Sequence, residues 1–308
     1  MANTSLYCTR EEIEANSPSR VDGIDIKQET FHRWSYSTFL QELGQRLKVP
    51  QKTIATSIVL CQRFFTRQSL AKNDAKTISM ICLFIAGKLE GSPKQAGEVI
   101  AVGYRILHNK EPSREAYEKI KGNVFTGEKL VLSTLGFDLE IEHPYEIMFD
   151  WVKRTVKVER DANRLYQAAL NFVNDGLRTS LCLQFKPNQI AAAALYLGSS
   201  FVKVKLPCDG EKVWWQEFDV TKRHLGEISD QTLAVYEQDF LVNVKDGADS
   251  KTGDGGLWKG EVKLSKDDES KSWQGLEGYQ DRKGSFMNGS DKSRHVANIL
   301  GYVPFESL

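Results

Sequence analysis

Residues Thr77 to Leu89 read TISMICLFIAGKL, and no other stretch constrains the fold as strongly. Ile78, Ile81, Cys82, Ile85 and Leu89 recur at helical spacing, while Met80, Leu83 and Phe84 fill the opposite side. A helix apolar all round has to be packed on every side, so this segment is expected at the centre of a helical domain. Lys88 stands at its end. Lysine is rarely buried without a partner, so Lys88 either snorkels out where the helix macrodipole favours cations or waits at a surface for an acceptor.

Glu128 poses the same question from the other side. It lies in VFTGEKLVLSTLGFDLE, on one helical face with Val124, Val131, Leu132 and Leu135. Desolvating a carboxylate without a partner costs roughly several kcal/mol, so Glu128 is expected either to pair with Lys88 or to face a partner protein at a recognition surface.

The rest of the composition narrows the function classes. The chain has 308 residues, with Lys plus Arg and Asp plus Glu balanced at 41 each. A neutral protein has no general electrostatic pull toward nucleic acid or anionic membrane, so direct sequence-specific nucleic-acid binding is not expected. No apolar run approaches a membrane span, and MANTSLYCTREEIEAN lacks the apolar core of a signal peptide. The five cysteines are scattered without CxxC or Cys/His ligand spacing, so reduced thiols are expected, with no metal or other cofactor. The histidines are dispersed and no Gly-rich phosphate loop is present, which disfavours an enzyme.

Helical signals dominate from Trp34 to about Phe240. Ile54, Ile58, Cys61 and Phe65 form a core-facing stripe in the run that opens at Pro50-Gln51. Asp74 is placed to cap the central helix, and Gly91-Ser92-Pro93 to stop it. A shorter helix is expected around Glu98 to Leu107, and a longer one from Pro112-Ser113 to Gly136. His143-Pro144 starts a second set. Its segment PNQIAAAALYLGSSF repeats the pattern of the central helix after roughly 110 residues. With Ile78 and Ile190 aligned, Lys88 falls opposite Ser200. The repeat keeps the buried helix and lacks the lysine, so the core alone does not require Lys88. Beyond Val244 the chain turns rich in Lys, Asp, Gly and Ser and is expected to be disordered.

Two helical repeats, a central helix ending Ala86-Gly87-Lys88-Leu89-Glu90, and EKLVLSTLGFDL later in the first repeat: over about Phe31 to Phe240 this chain resembles a cyclin. TLGFDLEIEHPYE, NFVNDGLRTSLCLQFKPNQIAAAALYL and Trp214-Trp215 before Glu217-Phe218 resemble the transcriptional branch, the cyclin T and cyclin K group of plant type. The resemblance implies an all-α fold of two tandem five-helix cyclin boxes. Its expected divisions are a flexible N-terminal segment at 1–30, a kinase-binding box at 31–142, a second box at 143–243 and a disordered tail at 244–308. It implies that Lys88 and Glu128 hydrogen-bond main-chain groups beside the regulatory helix of a transcriptional cyclin-dependent kinase. Leu89, Leu132 and Phe137 would make apolar contacts around that helix. The implied role is that of a nuclear, non-catalytic activating subunit promoting transcription elongation by phosphorylation of the RNA polymerase II C-terminal repeats.

Cyclins commonly have Ala-Ala-Lys, an apolar residue and two glutamates, where this chain has Gly87 and Gly91; the second change removes a carboxylate that can contribute to kinase contact. Two other readings compete. One is a TFIIB-like general transcription factor, which should be basic and carry a zinc ribbon. The other is a cyclin-fold scaffold without a kinase partner, favoured if Gly87 and Gly91 weaken the interface.

Overall fold

The structure, a computed structural model, describes residues 7–209 and 212–248. The first half holds α3 (Ile26–Arg46), α4 (Gln51–Phe65), α5 (Ala75–Leu89), α6 (Ala96–His108) and α7 (Arg114–Thr134). The second holds α8 (Pro144–Thr155), α9 (Glu159–Gly176), the short α10 (Leu181–Gln184), α11 (Pro187–Val202) and α12 (Lys222–Ala248), with a 3-10 helix at Trp214–Phe218. The fold is all-α as expected; a two-residue antiparallel pairing, Cys208–Asp209 with Lys212–Val213, is the strand structure among the described residues.

Local chemistry sets the helix ends. Asp74 accepts from the Thr77 amide at 2.8 Å and caps α5, and Ser113 accepts from the Ala116 amide at 3.2 Å to cap α7. Pro144 and Pro187 occupy first-turn positions of α8 and α11, where a missing N–H leaves no bond unmade. α5 is the hub of the first half, packed by α3, α4, α6 and α7. From Ile78 to Gly87 every residue is buried, as an all-round apolar helix demands. α11 plays the same part in the second half, against α8, α9 and α12. Gly198 makes that packing close, since a Cβ there would stand 3.0 Å from the Ala169 backbone nitrogen.

A polar seam joins the halves. The Asn174 side-chain oxygen accepts from Gln51 Nε2 at 3.0 Å and from the Tyr145 hydroxyl at 2.9 Å, and Gln41 Nε2 donates to the Asn174 carbonyl at 3.2 Å. Gln62, buried in α4, donates to the Leu177 carbonyl at 2.8 Å and accepts from the Cys182 thiol at 3.3 Å.

The described part of the segment at 1–30 carries helical structure. Residues 10–15 and 18–21 form α1 (Arg10–Ala15) and α2 (Pro18–Val21), and α3 begins at Ile26. α1 opens with a Thr9–Glu12 capping box, and Ile13 is buried. The Cys8 amide donates to the Leu183 carbonyl at 2.9 Å, and Ser19 Oγ accepts from the Leu70 amide at 3.0 Å. These bonds reach both halves. α12 continues to Ala248, past the boundary expected at 243. The remaining expectation for the tail, 249–308, lies outside the described residues.

Candidate protein-docking site

The site grows from the last turn of α5 and the facing side of α7. Gly127 lets the two helices approach: a Cβ there would press on Ile81 Cδ1. The next residue on α7, Glu128, is thereby brought to Lys88, which lies two helical turns beyond Ile81 on α5. Lys88 Nζ donates to Glu128 Oε1 at 2.6 Å. The lysine side chain is 48% exposed and the glutamate 21%. Lys88 also places its ammonium 4.0 Å above the centre of the buried Phe84 ring, a cation–π contact. The sequence offered an intramolecular pair or a surface position, and the geometry gives both together.

An ion pair this exposed contributes about 0–1 kcal/mol to folding. One ammonium hydrogen and one carboxylate oxygen are engaged with each other, which leaves the ammonium's other hydrogens and Oε2 outside this bond. Apolar side chains on the same two helices and just after α7 are left wholly or partly uncovered. Leu89 is exposed beside Lys88, Leu132 is half-buried one turn after Glu128, and Phe137 is 68% exposed beyond the end of α7. Phe125, one turn before Glu128 on the same side of α7, is also exposed. Sequence reading did not single it out, although its spacing from Glu128 and Leu132 would have placed it there.

Phe137 is held in an unusual backbone. α7 ends on Gly136 at φ +65°, and the Phe137 amide donates to the Leu132 carbonyl at 3.0 Å, the bond that closes a Schellman cap. Phe137 itself then takes φ +58°. An aromatic residue in the left-handed region costs about 1–2 kcal/mol, a strain of the kind that collects at functional surfaces.

Gly87 and Gly91 acquire structural reasons. Gly91 sits at φ +68°, and the Ser92 amide donates to the Gly87 carbonyl at 2.9 Å, so the pair terminates α5 by the same cap. A Cβ on Gly87 would lie 3.1 Å from the Ser92 carbonyl oxygen. Neither glycine loosens the helix end; both let the chain turn tightly after Leu89.

Behind that turn runs a relay. Thr56 donates to Glu90 Oε1 at 2.7 Å, and its oxygen lies 2.7 Å from His143 Nε2. The single hydroxyl proton goes to the carboxylate, so the imidazole donates through an Nε2–H. Burial is the chief cause pushing the His143 pKa down to about 4, with Lys52 and Arg63 adding to it and Glu90 opposing. The imidazole is therefore neutral at pH 7. Lys52 Nζ holds the other Glu90 oxygen at 3.3 Å. The first residue of the second half thus braces the helix end that carries Lys88. No group of metal-ligating side chains occurs among the described residues.

Comparisons with known proteins agree with this architecture. Residues 5–140 match the family profile described as Cyclin, N-terminal domain. The chain is similar to the putative cyclin-T1-1 of Arabidopsis thaliana, 68% identical over 243 residues that span 79% of this chain and 98% of that protein. It is 56% identical to cyclin-T1-5 of Arabidopsis thaliana, over 81% of this chain and 44% of that protein. Against cyclin-T1-3 of Oryza sativa subsp. japonica it is 57% identical, over 76% of this chain and 49% of that one. The chain thus spans less than half the length of these last two relatives. In fold it is similar to a chain of the yeast RNA Pol II CTD kinase CTDK-1 complex, with TM-score 0.62 and 17% identity over 82% of this chain and 86% of that chain.

Proposed function

The chain belongs to the cyclin family and is of cyclin T type, and from that membership we propose that it is the activating subunit of a transcriptional cyclin-dependent kinase. The kinase phosphorylates the C-terminal repeats of RNA polymerase II and so promotes transcription elongation in the nucleus. Catalysis belongs to the kinase; this chain is regulatory. The first helical half carries the kinase-binding surface, and the second half supports it.

The observation that carries the proposal is the exposed Lys88–Glu128 pair at 2.6 Å, with Leu89 and Phe125 exposed on the same two helices and Phe137 exposed just after α7. Such a surface pairs polar groups that set register with apolar neighbours that exclude water. A protein kinase is active when its regulatory helix swings inward, so that a glutamate on that helix pairs the phosphate-binding lysine. Lys88 and Glu128 meet main-chain carbonyl and amide groups beside the helix in that inward state, and Leu89, Leu132 and Phe137 pack around it. Tighter binding to the inward state shifts the kinase population toward activity. Cyclins T at 56–68% identity set the general-factor reading aside. The glycines that favoured a scaffold reading are used to end α5.

An affinity pull-down from nuclear extract, wild type beside Lys88→Glu, tests the proposal by mass spectrometry. A transcriptional cyclin-dependent kinase recovered by wild type alone is the expected result. Folded wild-type protein that recovers no kinase would leave the scaffold reading ahead. Equal recovery by both baits would remove Lys88 as the anchor.

A further inference from the structure

Residues 90–95 join α5 to α6 and read Glu-Gly-Ser-Pro-Lys-Gln. Of the eight prolines in the chain, two follow a serine, at Ser17-Pro18 and Ser92-Pro93. The two serines are placed differently. Ser17 is buried, and its hydroxyl oxygen caps α2 by accepting from the Ser19 amide at 3.2 Å. Ser92 lies half-buried on the connecting loop, with Gly91, Pro93 and Gln95 exposed around it. A residue before proline is steered toward extended backbone, the form in which a kinase cleft takes up a substrate segment.

Three supports of the α5 end converge on Ser92. Its amide closes the helix on the Gly87 carbonyl. Its hydroxyl lies 2.8 Å from Thr53 Oγ1, and Thr53 is fully buried in α4. Lys52 and Thr56, on the same helix as Thr53, hold Glu90 two residues earlier.

We propose that Ser92 is a phosphoacceptor for a proline-directed serine/threonine kinase, and that its modification releases the last turn of α5 and with it the Lys88–Glu128 surface. The second half of this proposal rests on the kinase-binding reading of that surface. In the transfer, the Ser92 Oγ–H bond breaks and an Oγ–P bond forms to the γ-phosphorus of ATP. ADP leaves with the electron pair of the broken P–O bond, and the hydroxyl proton passes to the modifying kinase's base. The new group carries about −1.5 to −2 charge at pH 7, at a helix C-terminus where the macrodipole disfavours anions. A phosphate does not fit between Ser92 and Thr53, whose oxygens are already in contact, so the side chain turns outward and the buried Thr53 hydroxyl loses that partner. Once outside, the phosphate competes with Glu90 for Lys52. Both losses fall on the turn that presents Lys88 and Leu89.

The test uses the full chain, an active cyclin-dependent kinase already bound to another cyclin, and Mg–ATP, with the phosphate mapped by mass spectrometry. Phosphate is expected on Ser92 of the wild type and absent from that position in Ser92→Ala. Pro93→Ala, which keeps the hydroxyl and its Thr53 contact, should also remain unmodified. The phosphorylated chain is expected to bind its kinase about tenfold more weakly than the unmodified chain, the loss that accompanies one or two polar contacts, with its far-UV circular dichroism unchanged. Phosphate confined to Ser17, or none on Ser92, overturns the acceptor assignment. Equal kinase affinity with and without Ser92 phosphate overturns the release. Failure of the unmodified chain to bind any cyclin-dependent kinase overturns the kinase-binding reading, while the Ser92 mapping still decides the acceptor.

Discussion

Phe137 keeps a left-handed backbone and an exposed ring, so its strain and its proposed use can be separated by one substitution. Phe137→Gly removes the steric cost and little buried surface. It should raise unfolding free energy by about 0.5–1 kcal/mol, read from urea midpoints, while lowering affinity for the kinase. A destabilised variant would mean that the ring is held by packing after all. The Lys88–Glu128 pair separates the same way. Reversing both charges should move Tm by less than about 2 °C, because an exposed pair contributes little, yet abolish kinase activation. A large loss of Tm would make the pair structural. His143 supplies a pH dependence. Its pKa lies near 4 in the folded chain, below the ordinary 6.5, so the unfolded chain takes up the proton first as pH falls. Stability from this residue is complete above about pH 6.5 and declines toward pH 4, by up to about 3 kcal/mol. Urea unfolding at pH 7.5 and pH 5 should show the lower midpoint at pH 5, and His143→Gln should narrow the gap. An unchanged gap would assign the acid loss to another group.

At the scale of the elements, α5 and α7 depend on one close approach. Gly127→Ala sets a methyl group against Ile81 Cδ1, so the buried Ile81 side chain has to shift at a cost of about 1–3 kcal/mol. Ile81→Val removes that methyl, so the double variant should recover part of the loss in a thermodynamic cycle. Additive losses would show that the helices already have room to shift. The helices themselves were readable from spacing: Asp74, Pro50, Ser113, Pro144 and Pro187 stand where the structure begins or caps an element. Cap chemistry acts within one turn, so a linear sequence contains it. Gly91 stops α5 as its place in the sequence predicts, whereas the part Gly87 plays, its carbonyl accepting from the Ser92 amide at 2.9 Å, shows only in the fold.

On the scale of the molecule, the two halves meet through Asn174 and Gln62, neither of which stands out in the chain. Both are polar groups whose part in the seam comes from partners more than a hundred residues away, Gln41 and Gln51 for Asn174 and Leu177 and Cys182 for Gln62. Gln62→Leu leaves the Leu177 carbonyl without its donor and should cost about 1–3 kcal/mol, read as a lower urea midpoint; a neutral effect would show that the seam is replaceable. The same distance separates what was legible from what was not. The sequence by itself determined the all-α class, the buried central helices, their caps, and the conflict of a lysine and a glutamate within apolar runs. Those are consequences of side-chain spacing and of chemistry within a turn or two. Only the tertiary structure decided that Lys88 and Glu128 meet, that His143 braces Glu90, and that Cys8 and Ser19 bond to Leu183 and Leu70. Each of these depends on which helices approach one another and how closely, a property of packed surfaces that no local pattern encodes.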